Sequence, residues 1–219
     1  MNTRHPALPY VIPFAGFIGL LALKSVWMAP TWVVFAFSIA LILVFSRAPL
    51  LSGRLTQPIE SICIGIVVFG IWVAPDFLFH GYRELPIFSN GIFGHAVSTM
   101  TAAQKTDLFS LTFRVLISVV AVPILEELFW RGWMMRWLID RHFENVALGT
   151  YLPFAFWMVA LLFASEHGPY WEVGLLAGII YNWWMIRTRS LWDCIVAHAV
   201  TNGLLAWWVI SHAQWQYWL

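Results

Sequence analysis

The sequence has few charged residues, because aspartate, glutamate, lysine and arginine make up only 11% of its 219 residues. Average soluble domains contain about 25%. Hydrophobic residues make up 61% of the chain, and a soluble fold of this size could not bury so much apolar surface. The sequence therefore indicates an integral membrane protein surrounded by lipid. The net charge of +1 gives no reason to expect a nucleic-acid partner.

Cysteine is also scarce. The two cysteines, Cys63 and Cys194, both lie in apolar runs, which indicates small buried hydrophobic residues. This pattern excludes a disulfide framework and a cysteine-based metal site.

Internal repeats and low-complexity regions are absent as well. The first apolar run lacks a small-residue cleavage site, so we expect a first membrane span there and not a cleaved signal peptide.

Apolar runs separated by proline, glycine and arginine predict an all-α fold, a polytopic transmembrane helical bundle of about seven spans. The connector 75–107 mixes polar with apolar residues, and we expect it to lie on the membrane surface, either as an irregular loop or with a short interfacial helix. The predicted spans cover residues 10–28, 31–45, 59–74, 108–138, 151–165, 173–186 and 191–211.

The basic residues are distributed unevenly between the two sides of such a bundle. Cytoplasmic loops of membrane proteins carry an excess of lysine and arginine, so the unequal counts predict a cytoplasmic amino terminus. On that assignment the outer side holds Lys24, Arg83 and Lys105. The inner side holds Arg4, Arg47, Arg54, Arg136, Arg141, Arg187 and Arg189.

The stretch 121–137 carries two adjacent carboxylates, Glu126 and Glu127, near the middle of the fourth predicted span. A carboxylate at the centre of a bilayer helix costs about 2.5–3.5 kcal/mol on insertion scales. Both carboxylates must therefore be paired with a cation, protonated, or used in the function of the protein. Glu127 and Arg131 are four residues apart and should form a pair. Glu126 points about 100° away and has no local partner. The alternative is one ion network that holds the bundle together. Pro123 predicts a kink in the same helix.

Two further polar positions lie on the later spans. His167 follows the fifth span in a polar turn, and because spans five and six are short, this turn should lie below the membrane face. His198 and Asn202 share one face of the seventh span. Taken alone, His167 could be a packed core histidine, and the second pair could be interhelical hydrogen-bonding groups.

Together, the three patterns are more specific than any one of them. They resemble the motifs of the CAAX-protease and bacteriocin-processing family of intramembrane glutamic endopeptidases, and the resemblance covers residues 108–208. It implies a division into residues 1–107, with the first spans and the surface connector, and residues 108–219, a catalytic core of the last four spans. The motifs here are Glu126-Glu127-x-x-x-Arg131, Phe163-x-x-x-His167 and His198-x-x-x-Asn202.

The resemblance also implies a role for each motif residue. Glu126 would be the general base for a water that His167 helps to orient, and His198 and Asn202 would donate hydrogen bonds to the oxyanion. Glu127 and Arg131 would support Glu126. No cofactor is expected, although Glu126, His167 and His198 could instead hold zinc with an open position.

We therefore predict an intramembrane endopeptidase that acts on a membrane-associated protein or peptide, in a prokaryotic inner membrane. Two alternatives stay open: a proton-relay or transport protein, and a non-catalytic scaffold or immunity factor of the same fold. One geometric question also stays open. Counted from the cytoplasmic helix ends, His198, Glu126 and His167 lie at depths of about 10, 16 and 24 Å, yet they must meet around one water.

Overall fold

The computed structural model describes residues 5–23 and 29–218. Helices account for 76% of the structure, and the described residues form no β-strand beyond an isolated bridge between Asn90 and Gly94. The predicted all-helical class is confirmed. The helices are α1 (Leu8–Leu23), α2 (Thr31–Phe45), α3 (Arg47–Ser52), α4 (Pro58–Leu78), α5 (Ala102–Thr106), α6 (Leu108–Trp137), α7 (Pro153–Ser165), α8 (Trp171–Thr188) and α9 (Leu191–His212).

Three of these helices, α4, α6 and α9, are long and apolar enough to cross a membrane by length and composition, and α1, α2 and α7 are shorter apolar helices. The protein is thus a multi-pass membrane protein. Most described helix boundaries lie within two residues of the predicted spans, and two differences are larger. Helix α4 continues through Pro75 to Leu78, four residues beyond the predicted end, and the interval predicted as a loop before it contains α3. The predicted span end at residue 28, with Arg4 and Lys24, lies outside the described residues.

Helix α6 departs from regular α-helical geometry on both sides of the paired carboxylates. Its residues Ile117–Ala121 and Leu128–Met134 are π-helical. Such π-helical turns are frequent at functional sites. Pro123 has no N–H to donate to the carbonyl of Ser118 five residues earlier, and that carbonyl instead accepts a hydrogen bond from Asn202 Nδ2 at 2.8 Å. The proline predicted to kink the helix therefore also frees a carbonyl that joins α6 to α9.

Close packing between α4 and α9 holds the centre of the bundle together. A Cβ atom on Gly65 would lie only 2.5 Å from the carbonyl oxygen of Ala197, so glycine is required where the two backbones approach. The hydroxyl of Thr201 donates to the carbonyl of Gly65 at 2.9 Å. Helix α8 packs against α7 in a similar way at Gly178. Together with α6, these four helices surround a cavity.

The connector between α4 and α6 contains little regular structure. It has one 3₁₀ turn at Tyr82–Glu84 and the short helix α5, whose amino end is capped by Thr101 and Gln104. Several large apolar side chains of this connector are exposed. The prediction that the connector lies on the membrane surface remains a prediction.

Candidate active site

A cavity of about 260 Å³ lies between α4, α6, α7, α8 and α9. Glu126, His167, His198 and Asn202 all line it. These side chains come from the long helix α6, the turn after α7, and helix α9, in agreement with the order of the three sequence motifs. The structure thus brings together all four residues that the sequence analysis selected for chemistry.

The cavity extends along α6. On α6 it is lined by Arg114, Ser118, Val122 and Glu126, which follow one another at intervals of four residues. Twelve residues of helix rise by about 18 Å. The cavity is therefore elongated along α6, so side chains at different depths can reach the same enclosed space.

The predicted pair between Glu127 and Arg131 is confirmed. Arg131 Nη1 donates to Glu127 Oε1 at 3.0 Å, and both side chains are fully buried. Arg131 also donates through Nε to Asn182 Oδ1 at 2.9 Å, and its guanidinium lies over the ring of Phe163. Among the described residues the other oxygen of Glu127, Oε2, has no hydrogen-bond partner, so Oε1 makes the contact with Arg131.

Glu127 has a second partner that the sequence analysis did not identify. Its Oε1 atom lies 2.9 Å from His198 Nδ1. A carboxylate paired with arginine can only accept a hydrogen bond, so Nδ1 of His198 carries a proton and Nε2 remains for the cavity. His198 Nε2 lies 4.0 Å from Glu126 Oε2, and the His198 ring stacks on Tyr181 with centroids 5.2 Å apart. The Glu127 carboxylate thus orients His198.

The His167 ring is held from several sides. Its Nδ1 lies 2.7 Å from the carbonyl oxygen of Phe163, which can only accept, so Nδ1 is protonated and Nε2 is the free nitrogen. The ring meets Trp72 edge-on at 5.1 Å. On the other side it contacts Gly174, where a Cβ would lie 3.0 Å from the ring. His167 therefore has one orientation and one tautomer.

Of the two adjacent carboxylates, Glu126 is the one that lines the cavity. Its side chain is 14% exposed, and among the described residues Oε2 has no hydrogen-bond partner. A buried polar atom without a partner is costly in a protein interior, so such an atom calls for an explanation. Asn202 donates one amide hydrogen to the carbonyl of Ser118, and within the described part of the chain the second has no acceptor and can act in the cavity.

Sequence reasoning missed several residues of this site. Glu166 lines the cavity beside His167 and accepts a hydrogen bond from the indole of Trp130 at 3.2 Å. Asn182 holds Arg131, and Tyr181 supports His198. Asn182 carried a usable signal, because a polar amide inside an apolar helix requires a partner. Glu166 also carried one, because a carboxylate in a turn expected below the membrane face requires a partner or a function. Tyr181 gave none, since its role depends on a neighbour that is distant in sequence.

The zinc alternative concerns Glu126, His167 and His198. Among residues 5–23 and 29–218, no group of three histidine, cysteine, aspartate or glutamate side chains is arranged to hold a metal ion. His167 and His198 each use Nδ1 in a hydrogen bond within the protein, which leaves Nε2 of each ring without such a bond among the described residues. Glu126, His167 and His198 do not form a three-ligand metal site in this structure, so we derive no chemistry through a metal.

The fold and the site together define a multi-pass helical membrane protein in which Glu126, His167 and His198 line one cavity. Residues 108–204, a little under half of the chain, match the family model described as Rce1-like, type II CAAX prenyl endopeptidase. The match covers all three motifs and supports the family predicted from them, which is a family of peptidases. No curated protein and no solved structure matched the chain.

Proposed function

We propose that this protein is an intramembrane endopeptidase that hydrolyses a peptide bond of a membrane-associated protein by direct attack of water. The observation that supports this proposal most strongly is the convergence of Glu126, His167, His198 and Asn202 on one cavity. The family match to peptidases favours the same reaction class.

In this proposal Glu126 and His167 hold the nucleophilic water. The carboxylate of Glu126 and Nε2 of His167 are both acceptors, so each takes one hydrogen of the water, and the lone pairs of the oxygen are left to face the substrate carbonyl. Glu126 removes a proton as the carbon–oxygen bond forms, and the proton then passes to the leaving amine. General base catalysis of this type contributes about 10²–10⁴-fold to the rate.

His198 and Asn202 are proposed to stabilise the oxyanion. The free amide hydrogen of Asn202 can donate directly. His198 already uses the Nδ1 proton on Glu127, so it can donate through Nε2 only as an imidazolium. The Glu127 carboxylate at 2.9 Å stabilises that cation. Glu127 therefore does more than pair with Arg131, because its carboxylate holds the Nδ1 proton of His198.

We place this chemistry in a bundle of seven spans with a cytoplasmic amino terminus, in a prokaryotic inner membrane. The catalytic core is assigned to residues 108–219 and the supporting spans to residues 1–107. Trp72 of α4 also lines the cavity. The first part of the chain thus contributes to the wall of the site.

The contact between Gly174 and His167 leads to a prediction. Gly174→Ala would place a Cβ 3.0 Å from the ring of His167, which Trp72 and the Phe163 carbonyl prevent from moving away. Displacement of a reacting group by about 1 Å can reduce a rate by about 10²-fold, so we expect a clear loss of turnover in purified protein. Gly70→Ala is the control, because no atom lies within 4 Å of its Cβ position. Equal turnover in both variants would contradict this role of His167.

The substrate can be sought by an unbiased comparison of membrane proteins. Membranes from cells with the wild-type protein are compared by amino-terminal proteomics with membranes from cells with Glu126→Gln. We expect new protein termini near a membrane face only with the wild type. Identical termini in both samples would count against an endopeptidase and favour a scaffold, whereas a proton-relay protein would instead show a Glu126-dependent pH change in liposomes.

We also propose that the reaction uses no cofactor. Elemental analysis of purified, active protein is expected to show less than one zinc per chain, and dialysis against a chelator should leave the cleavage rate unchanged. One tightly bound zinc per active chain, with loss of activity on its removal, would contradict the proposal.

A further inference from the structure

Arg83 is a buried cation outside the residues that match the family. It lies in the 3₁₀ turn Tyr82–Glu84 of the connector and is only 8% exposed. An arginine on an otherwise irregular and largely exposed connector would ordinarily extend into solvent. Its burial means that the surrounding structure compensates the charge and fixes the position of the guanidinium.

The guanidinium of Arg83 has three polar partners on three different parts of the chain. Its Nε donates to Asp76 Oδ1 at 3.1 Å, near the end of α4. Its Nη1 donates to the carbonyl of Pro169 at 2.7 Å and lies 2.7 Å from Glu172 Oε1 in the first turn of α8. Burial lowers the pKa of Arg83, but the hydrogen bonds and charges of the two carboxylates raise it more, so the net pKa lies above its usual value. Arg83 therefore stays charged.

Two of these contacts lead to the turn that carries His167. Pro169 follows His167 by two residues, and the guanidinium of Arg83 lies 4.3 Å from the centre of the Tyr170 ring. Tyr170 stacks on Trp72 with centroids 6.4 Å apart, and Trp72 meets the His167 ring. Arg83 thus fixes both the backbone after His167 and the aromatic rings beside it.

Asp76 connects the same cation to the carboxyl-terminal side of the cavity. The other oxygen of Asp76 accepts a hydrogen bond from the Tyr217 hydroxyl at 2.9 Å. The Tyr170 hydroxyl donates to the carbonyl of Gln216 at 3.2 Å. Tyr217 and Trp218 are buried and line the cavity with Glu126. The residues around Arg83 therefore join α4, the His167 turn and the segment after α9 into one side of the cavity wall.

We propose that Arg83 is a positioning residue for hydrolysis: it holds the His167–Tyr170 turn and the segment 213–218 in the arrangement that the reaction needs. This inference rests on the proposed function. Lysine cannot replace Arg83, because a single ammonium lacks the planar set of N–H donors that reaches a carboxylate, a carbonyl and a second carboxylate at once. In this proposal the connector contributes to catalysis through Arg83.

The test compares Arg83→Lys with the wild type in lipid nanodiscs. We expect kcat to fall by about 10–100-fold, as for a misplaced catalytic group, with KM changed by less than about twofold. Hydrogen–deuterium exchange should rise in the amides of residues 166–171 and 213–217 and stay constant in α7 and α9. Asp76→Asn should give a smaller change in the same segments, because it removes the charge and keeps a hydrogen-bond acceptor for Tyr217. Arg47→Lys, at an exposed arginine, is the control.

Two results would overturn the inference. Unchanged exchange in residues 166–171 of Arg83→Lys would show that the turn does not depend on the cation. A uniform rise of exchange in all helices would show that Arg83 supports the whole fold and not the site. The exchange measurement does not depend on a substrate. If even the wild type cleaved nothing, the proposed function would fail while the exchange data still decided whether Arg83 holds the turn.

Discussion

Replacing Glu126 by glutamine is expected to reduce cleavage by about 10²–10⁴-fold, the usual contribution of a positioned general base. Glutamine has almost the same shape as glutamate, and it removes a charge from a largely buried site where Oε2 has no hydrogen-bond partner among the described residues. The variant should therefore fold and insert at least as well as the wild type. Loss of activity would then report on chemistry alone.

The measurement is the cleavage rate of a substrate identified from the membrane comparison, with purified protein in lipid. Glu144→Gln provides a matched control, since Glu144 is exposed in the turn Phe143–Asn145 and lies outside the cavity lining. The control should retain wild-type activity. A Glu126→Gln protein that cleaved at the wild-type rate would end the enzyme hypothesis.

Replacing Arg131 by methionine is expected to destabilise the protein by about 3–5 kcal/mol, because the buried Glu127 carboxylate would lose the arginine charge and keep the hydrogen bond from His198. Both side chains of this pair are fully buried, so water cannot take the place of the guanidinium. Asn182 and the Gly178 carbonyl would also lose a donor. This is the largest stability effect that we expect from a single substitution in the site.

A double-mutant cycle separates the pair from its surroundings. The combination of Glu127→Gln with Arg131→Met should be more stable than Arg131→Met alone, with a coupling of about 0.5–3 kcal/mol. Stability is measured by reversible unfolding in mixed micelles, and Arg141→Met, at an exposed arginine, is the control. Additive effects of the two substitutions would show that Glu127 and Arg131 are not energetically coupled.

Much of the fold could be predicted from the sequence because a lipid bilayer requires long apolar helices. Apolar length and helix breakers located α2 and α6 well, and the start of α4 within one residue. The boundary errors occurred where local signals are ambiguous. Pro75 is a helix-breaking residue by type but lies within α4, and the short α3 lies in an interval rich in proline and glycine. The connector was beyond prediction, since the contacts of its Arg83 reach residues that are distant in sequence, such as Pro169.

By itself, the sequence determined the contacts that are local. Glu127 and Arg131 meet because residues four apart on a helix are neighbours, and the three motifs identified the family. Only the tertiary structure decided that Glu127 also orients His198, 71 residues away, and that Arg83 reaches Pro169 across 86 residues. Such contacts depend on how the helices pack, because no periodicity along one helix specifies which side chain of another helix will face it.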